Sequence, residues 1–463
     1  MSLSVHNTLT RKEEDFVPLV PGEVRMYVCG VTVYDLCHIG HARSAIVFDV
    51  IRRYLAFKGY RVTFVKNFTD VDDRIIKRAN AEGVSAREIS ERYIAEFYRD
   101  MDAIGILRGD VEPKATDHIE QMIRLIEQLV TAGVAYVVEG DVYFEISRFP
   151  AYGRLSGKNL DELLAGARVE VDERKRDPRD FALWKAAKPG EPSWPSPWGD
   201  GRPGWHIECS AMAMEYLGST FDVHGGGEDL VFPHHECEIA QSEAATRKTF
   251  ARYWVHNGFV NLGAEKMSKS LGNTLLIREL VKRHDPDALR LWLLGTHYRH
   301  PVEFSEERLN EAGRALERFS RLFREAARYA WPPGPVPDAL RQFRLRFEAA
   351  MDDDFNTPQA LGALFDLARA LYEHVERTEE ADAQQALVAG VDEVKRLGGA
   401  LGLFASGVTV AGPPAEVDRL VSERSDARKR RDWRRSDELR DELQKLGWSV
   451  EDTPSGPRLT PRR

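Results

Sequence analysis

The apolar residues of this chain change rhythm several times, and each change predicts an element. Residues 24–30 (VRMYVCG) form a short apolar-rich run that stops at a glycine, the pattern of a buried strand. From 41 to 58 (HARSAIVFDVIRRYLAFK) the apolar positions take a helical period, and Ile46, Val50 and Tyr54 share one face. Residues 61–68 (RVTFVKNF) predict a second strand, and DDRIIKRANAEG predicts the helix after it. Such alternation implies a parallel sheet with helices on its faces.

From about 115 to 205 the rhythm loosens. A helix is predicted over 116–132 and a strand over 141–146, followed by KPGEPSWPSPWGDGRPGW (188–205), whose Pro and Gly density marks a loop. This stretch reads as an insertion. Alternation resumes with FDVHGGG (221–227), a helix from about Pro233, and one strand-like run, YWVHNGFVNL (253–262). From 305 onward the pattern is almost wholly helical, interrupted by WPPGPVP (331–337) as a rigid connector and GVTVAGPPAEV (407–417) as a linker. The expected fold class is therefore α/β: a Rossmann-like parallel-sheet domain (1–304, with 115–205 inserted), an all-α bundle (305–406) and a small C-terminal domain (415–463).

Composition narrows the classes. The chain has 463 residues, 43% apolar and 30% charged, in the range of a soluble globular protein. No apolar run is long enough to span a bilayer, and MSLSVHNTLTRKEED lacks an apolar signal core, so a cytoplasmic protein without membrane contact is expected. The net charge of −9 argues against non-specific nucleic-acid binding by the whole surface, yet Arg424–Arg463 carries 12 Lys/Arg against 8 Asp/Glu. The four cysteines contain no CxxC pair, which leaves metal binding or core packing as their uses.

The candidate chemistry gathers where strands hand over to helices. His38 and His41 flank Ile39-Gly40 at the start of the first helix, where unpaired N–H groups and the helix dipole suit phosphate. Gly40 lets backbone approach a ligand closely. Taken alone, this motif equally suits a metal pair or two surface histidines. A second stretch, AEKMSKSLGNT (264–274), places Lys266 and Lys269 where they can meet charge on a departing pyrophosphate. His234 and Glu238 are four apart on a predicted helix, Cys209 follows Trp205 by four, and Cys29 ends a strand. Two thiolates, an imidazole and a carboxylate suit zinc, although spacing leaves Cys37, Cys237, His224, His235 and Glu236 open as alternatives. Gly225, Gly226 and Gly227 follow a strand end, where a nucleotide can lie against bare backbone.

The ordered pair HIGH and KMSKS resembles the signature of class I aminoacyl-tRNA synthetases. The stretches GVTVYDLCHIGHAR, GWHIECSAM, FDVHGGGEDLVFPHHECEIAQ and MDDDFNTPQAL are similar to the cysteinyl-tRNA synthetase family over nearly the whole chain. That resemblance implies one zinc per chain on Cys29, Cys209, His234 and Glu238, with Cys37 and Cys237 as packing residues. It implies ATP contacts from His38, Gly40, His41, Gly225, Gly226, Gly227, Asp229 and Lys269, with Mg2+ accompanying ATP. Catalysis falls to His38, His41, Lys266 and Lys269, and Trp205 becomes a wall of the L-cysteine pocket. The implied partners are ATP, L-cysteine and tRNA(Cys), bound by a monomer, with the helical bundle and the basic tail around Trp433 as the tRNA-binding parts. Zinc would read the substrate sulfur directly, since apolar pockets separate near-isosteric substrates by only roughly 10–200-fold. Two rivals share features of this pattern: a paralogue that joins cysteine to an amino sugar and lacks a full anticodon-binding part, and an inactive RNA-binding protein with a structural zinc.

Overall fold

The computed structural model describes residues 2–157, 173–262, 265–266, 275–329, 336–377, 381–404, 415–453 and 456–461. The chain divides into two compact units, Met1–Ala405 and Ser406–Arg463.

In the first unit an N-terminal hairpin, β1 (Ser4–Asn7) and β2 (Lys12–Asp15), precedes β3 (Glu23–Thr32), α1 (Ile39–Phe57) and β4 (Arg61–Thr69). Next come α2 (Asp73–Glu82), α3 (Ala86–Ala103) and α4 (Ile119–Thr131), then a four-stranded antiparallel sheet of β5 (Ala135–Val138), β6 (Asp141–Phe144), β7 (Phe181–Ala186) and β8 (Gly201–Pro203). That sheet lies within the predicted insertion. The chain returns through α5 (Trp205–Leu217), β9 (Phe221–Gly227), α6 (Glu236–Thr246) and β10 (Ala251–Asn257).

The main sheet has the order β4-β3-β9-β10, and every pair is parallel. The chain leaves β3 in one direction to form β4 and later returns to its other side as β9. The β3/β9 boundary is therefore the switch point, and the crevice beyond the carboxyl ends of those strands is where parallel sheets bind ligands. Tyr27 pairs with His224 and Val28 with Gly225 across this boundary, so Cys29 and the glycine triplet open onto one crevice. The helix that follows β3 is held firmly: the buried Arg43 of α1 donates to the carbonyls of Leu293 (2.5 Å) and His297 (2.9 Å). Charge-assisted bonds of this kind contribute roughly 1.5–3 kcal/mol each.

Two expectations for the first unit need correction. The run 253–262 is two strands. β10 ends at Asn257, Gly258 packs against the His300 backbone too closely for a side chain, and β11 (Val260–Leu262) joins a small sheet with β12 (Glu265–Lys266) and β13 (Val302–Glu303). The helix expected from Pro233 begins as an α-helix only at Glu236, because Val231–His235 forms a wider π turn with Phe232 out of helical geometry.

Beyond β12 lie α7 (Ile277–Val281), α8 (Pro286–Leu294) and, after β13, four long helices: α9 (Glu306–Ala326), α10 (Asp338–Asp352), α11 (Thr357–Arg377) and α12 (Ala381–Ala400). Most of the proline-rich connector at 331–337 and of the linker at 407–417 lies outside the described residues.

The second unit pairs α13 (Ala415–Lys429) with α14 (Trp433–Lys445) through Leu420, Leu439 and Leu443. It also carries an antiparallel hairpin, β14 (Trp448–Thr453) and β15 (Gly456–Pro461), so the chain is not almost wholly helical to its end. Gly447, at φ +80°, stops the helix there, and Val450 turns back into the core. Among the described residues no helix is long and apolar enough to cross a membrane.

Candidate active site

The rim of the crevice is built by the first turn of α1. His38 is its N-cap, and its Nδ1 accepts from the Gly40 N–H at 3.1 Å. His41 reaches back, and its Nδ1 accepts from the His38 N–H at 3.1 Å. This is a reciprocal capping box made of imidazoles rather than of hydroxyl and carboxylate. An Nδ1 that accepts must carry its ring proton on Nε2, so both rings present Nε2–H as a donor. The first turn holds no acidic residue, which leaves the dipole's positive end uncompensated. Gly40 has its own reason: a Cβ there would come within 2.9 Å of the His38 ring.

The floor lies at the end of β3. Side-chain donor atoms of Cys29, Cys209, His234 and Glu238 all fall within 4.8 Å of one another, and all four residues are buried. They come from β3, α5, the π turn and α6, so the set exists only in the folded chain. Glu238 is its hub. Its Oε1 accepts from Cys29 Sγ at 3.2 Å and lies 3.0 Å from His234 Nε2, while Oε2 lies 2.8 Å from His224 Nε2. His206 holds the other face of His234 through Nδ1–Nδ1 contact at 2.8 Å, and Trp205 stacks on His234 with centroids 4.3 Å apart.

The charge states follow from crowding. Burial pushes the Cys209 thiol up, but hydrogen bonding to Cys29 and the nearby His234 outweigh it and hold the thiol at about 6. Burial and the neighbouring Cys209 push Cys29 well above the usual thiol range. Burial disfavours the His234 cation, yet Glu238 and Cys209 raise it to about 10. Glu238 stays well below the carboxylate range because His224 and His234 outweigh its burial.

A second overlapping group, Cys29, His224, His235 and Glu238, also lies within 4.8 Å. The first group fits a soft cation better because it offers two sulfurs instead of one. His224 stacks on Trp254 (4.3 Å) and grips Glu238, the arrangement by which an outer residue orients a metal ligand. Asn67 Nδ2, Tyr27 OH and His224 Nδ1 are buried beside this floor without a hydrogen-bond partner among the described residues. Buried polar atoms left open in this way call for a partner that the described side chains do not supply. The donor set therefore fits zinc.

The remaining predicted residues distribute unevenly. Cys37 and Cys237 are buried and belong to neither metal group; Cys237 Sγ instead sits 3.3 Å from Tyr152 OH. Gly225 and Gly226 have packing reasons as well, since a Cβ would meet the Phe48 ring at 2.2 Å and the His235 ring at 2.8 Å. Gly227 adjoins the Asp229 carboxylate, and Asp229 is exposed in a short 3-10 turn. Lys266 closes β12, and Lys269 lies outside the described residues.

Sequence reasoning missed several participants. Asn67 ties the floor together, accepting from the Gly30 N–H at 2.8 Å with Cys209 Sγ 3.6 Å away. An asparagine, a poor strand former, inside a predicted strand was its available signal. The segment after the KMSKS stretch is bridged to the HIGH turn: Ile39 N–H donates to Leu275 O (2.9 Å) and Ile277 N–H to Cys37 O (3.1 Å). Behind this bridge Arg278 pairs with Glu96 (2.7 Å) and Asp100 (3.1 Å) of α3. Nothing in the local sequence announces that bridge.

Comparison with known proteins supplies the family. Residues 15–314 match the model for the catalytic domain of class I (C) tRNA synthetases, 346–405 match the DALR domain, and 411–456 match the cysteinyl-tRNA ligase anticodon binding domain. The cysteine–tRNA ligase of Geobacter sulfurreducens is 55% identical over 98% of this chain and 99% of its own. That of Pelobacter propionicus is 53% identical over the same shares. Among solved structures, methionyl-tRNA synthetase of Mycobacterium tuberculosis with methionyl-adenylate superposes with a TM-score of 0.58 at 18% identity, covering 82% of this chain and 89% of that one. A putative arginyl-tRNA synthetase from Campylobacter jejuni gives 0.56 at 13% identity, covering 82% and 93%. These last two speak to fold alone.

Proposed function

The chain belongs to the cysteine–tRNA ligases, a family of class I aminoacyl-tRNA synthetases, and from that premise we propose how its own residues divide the work. The substrate set is L-cysteine, Mg-ATP and tRNA(Cys). The cysteine carboxylate attacks the α-phosphate and releases pyrophosphate; the terminal ribose hydroxyl of tRNA then attacks the mixed anhydride and releases AMP. No protein nucleophile takes part, so catalysis is positioning and charge stabilisation.

His38 and His41 offer Nε2–H donors to phosphate oxygens at the start of α1, with the uncompensated helix dipole behind them. Gly40 and the Gly225-Gly226-Gly227 edge leave room for ATP, with Asp229 beside its ribose. Lys269, aided by Lys266, stabilises the departing pyrophosphate. Trp205, stacked on His234, walls the amino-acid pocket. Cys29, Cys209, His234 and Glu238 hold zinc, whose chemistry when bound is a soft Lewis acidity that favours thiolate over neutral alcohol. Residues 1–304 carry this chemistry, while the bundle at 305–406 and the small domain at 415–463 serve tRNA; the chain acts as a monomer in the cytoplasm.

The observation that carries this reading is the β3–α1 crossover. One strand end supplies Cys29 to the thiol-bearing floor, and the turn after it supplies the two imidazole donors. A site that selects sulfur and a site that grips phosphate thus share one crevice. The match at 411–456 favours tRNA over an amino sugar as acceptor.

The test is cysteine charging of total tRNA with Mg-ATP, scoring cysteinyl-tRNA and AMP together. Both products are expected. AMP without charged tRNA would move the amino-sugar paralogue forward, and neither product would favour the inactive RNA-binding reading. Within the same assay, Lys269→Ala is expected to slow adenylation by on the order of tenfold or more while cysteine affinity holds; near-normal turnover removes that role.

A further inference from the structure

Of the four cysteines, only Cys29 and Cys209 occur together in one donor group. Their sulfurs lie within 4.8 Å of each other, one near the end of β3 and the other on α5. Cys37 and Cys237 belong to neither group, and Cys237 Sγ has Tyr152 OH at 3.3 Å. In the floor each sulfur of the pair faces an oxygen: Cys29 Sγ donates to Glu238 Oε1 at 3.2 Å, and Cys209 Sγ lies 3.6 Å from Asn67 Oδ1. A disulfide needs its sulfurs about 2.05 Å apart. Rotation about χ1 at Cys29 or Cys209 is the motion that closes such a gap.

Burial does not shield this pair from a small oxidant. Cys29 is 8% and Cys209 1% exposed, so bulky reagents are kept out. On the synthetase reading, the sulfur of L-cysteine must reach the ion that both thiolates hold, and hydrogen peroxide is smaller than that side chain. Metal ligation keeps both sulfurs deprotonated, the form that reacts with peroxide. Electrostatics favour the product. Two thiolates beside the Glu238 carboxylate put like charges in one buried cluster that needs a cation. A disulfide removes the charge of both sulfurs, and Glu238 keeps His224 at 2.8 Å and His234 at 3.0 Å.

We propose that Cys29 and Cys209 form a redox modification site, at which peroxide joins the two sulfurs in a disulfide and so removes two ligands from the zinc. The inference rests on the zinc assignment of the synthetase reading and adds to it a state in which the floor is closed to substrate. One sulfur attacks a peroxide oxygen, the O–O bond breaks, and a sulfenic acid and hydroxide form. The other sulfur attacks the sulfenic sulfur, the S–S bond forms, and a second hydroxide leaves. The two sulfurs give up two electrons, the peroxide becomes two waters on taking up two protons, and the zinc ion departs with its charge. A dithiol reduces the bond and regenerates both ligands. The consequence follows from the substrate's own chemistry: conditions that oxidise a pool of cysteine also close the site that reads it.

The test uses the full zinc-loaded chain and hydrogen peroxide in small molar excess. Released zinc is read with a chromogenic chelator, thiols are titrated after denaturation, and intact mass and linked peptides are recorded. Titratable thiols should fall from four to two, and the linked peptides should contain Cys29 and Cys209. Mass should drop by two hydrogens, and one zinc should leave per chain. Cysteine-dependent ATP–pyrophosphate exchange should fall by roughly tenfold or more, and dithiothreitol with added zinc should restore it. The Cys37→Ser/Cys237→Ser double variant should form the same bond, and Cys29→Ser should form none. Zinc retained with all thiols intact would overturn the proposal. So would a bond through Cys37 or Cys237, or sulfur oxidised beyond sulfenic acid without a cross-link. Should the double variant fail to fold, the peptide map of the parent chain decides alone. A parent chain that shows no exchange before treatment counts against the synthetase reading instead, because thiol count, mass and peptide map need no activity.

Discussion

The floor and the rim of the crevice lie one turn of chain apart, yet they are built on opposite plans. The floor collects Cys29, Cys209, His234 and Glu238 from four separate elements and buries them all. Its geometry is held by side chains: His224 and His234 on Glu238, His206 and Trp205 on His234. The rim is local. His38 and His41 are oriented by their own backbone N–H groups, three residues apart. A soft, buried floor suits discrimination of sulfur. A half-exposed rim of neutral donors at a helix start suits a phosphate that must enter and leave. The two should therefore fail independently.

Cys209→Ser should break the floor alone. Sulfur's replacement by oxygen is expected to weaken zinc by on the order of 100-fold or more, since even outer-sphere losses cost 10–100-fold. Elemental analysis checks it; full metal content would refute the ligand role. His38→Ala should break the rim alone. Loss of one preorganised donor is expected to slow adenylation by on the order of 100-fold, and loss of the α1 cap should cost about 1 kcal/mol of stability. Metal content should remain that of the parent; a shared loss of zinc would show that rim and floor are one unit. Arg278→Ala sharpens the comparison at the smallest scale. It removes the ion pairs behind the bridge between residues 37–39 and 275–277, so adenylation should fall by roughly threefold to tenfold, with Arg278→Lys restoring most of it and KM for cysteine unmoved. A change in cysteine KM would place Arg278 in the pocket's packing instead.

The same contrast governs how much was legible in the sequence. The rim could be read because it is local: an apolar strand, a glycine, two histidines and a helical period lie within one run of chain. β3, α1 and β4 were visible for that reason, each dominated by its own pattern. The floor could not be chosen from spacing. His235 lies three residues from Glu238 and His224 fourteen, and the fold itself builds a second donor group from them. Only the resemblance selected the set that carries two sulfurs. The strand run 253–262 hid its break because Gly258 turns the chain for a tertiary reason, the His300 backbone packed against it. The hairpin at 448–461 was missed because its residues are mostly polar, and its strand character rests on pairing between β14 and β15. The bridge from Cys37 to Ile277 joins segments about 240 residues apart in sequence, beyond the reach of any local pattern.

The central claim is that the buried floor reads the substrate's sulfur through zinc. X-ray absorption at the zinc edge of the purified protein, with and without L-cysteine, tests it most directly. The account predicts two sulfur ligands at about 2.3 Å in the free protein and a third on adding cysteine, with no change on adding serine. A sulfur count that stays the same when cysteine is bound would contradict it.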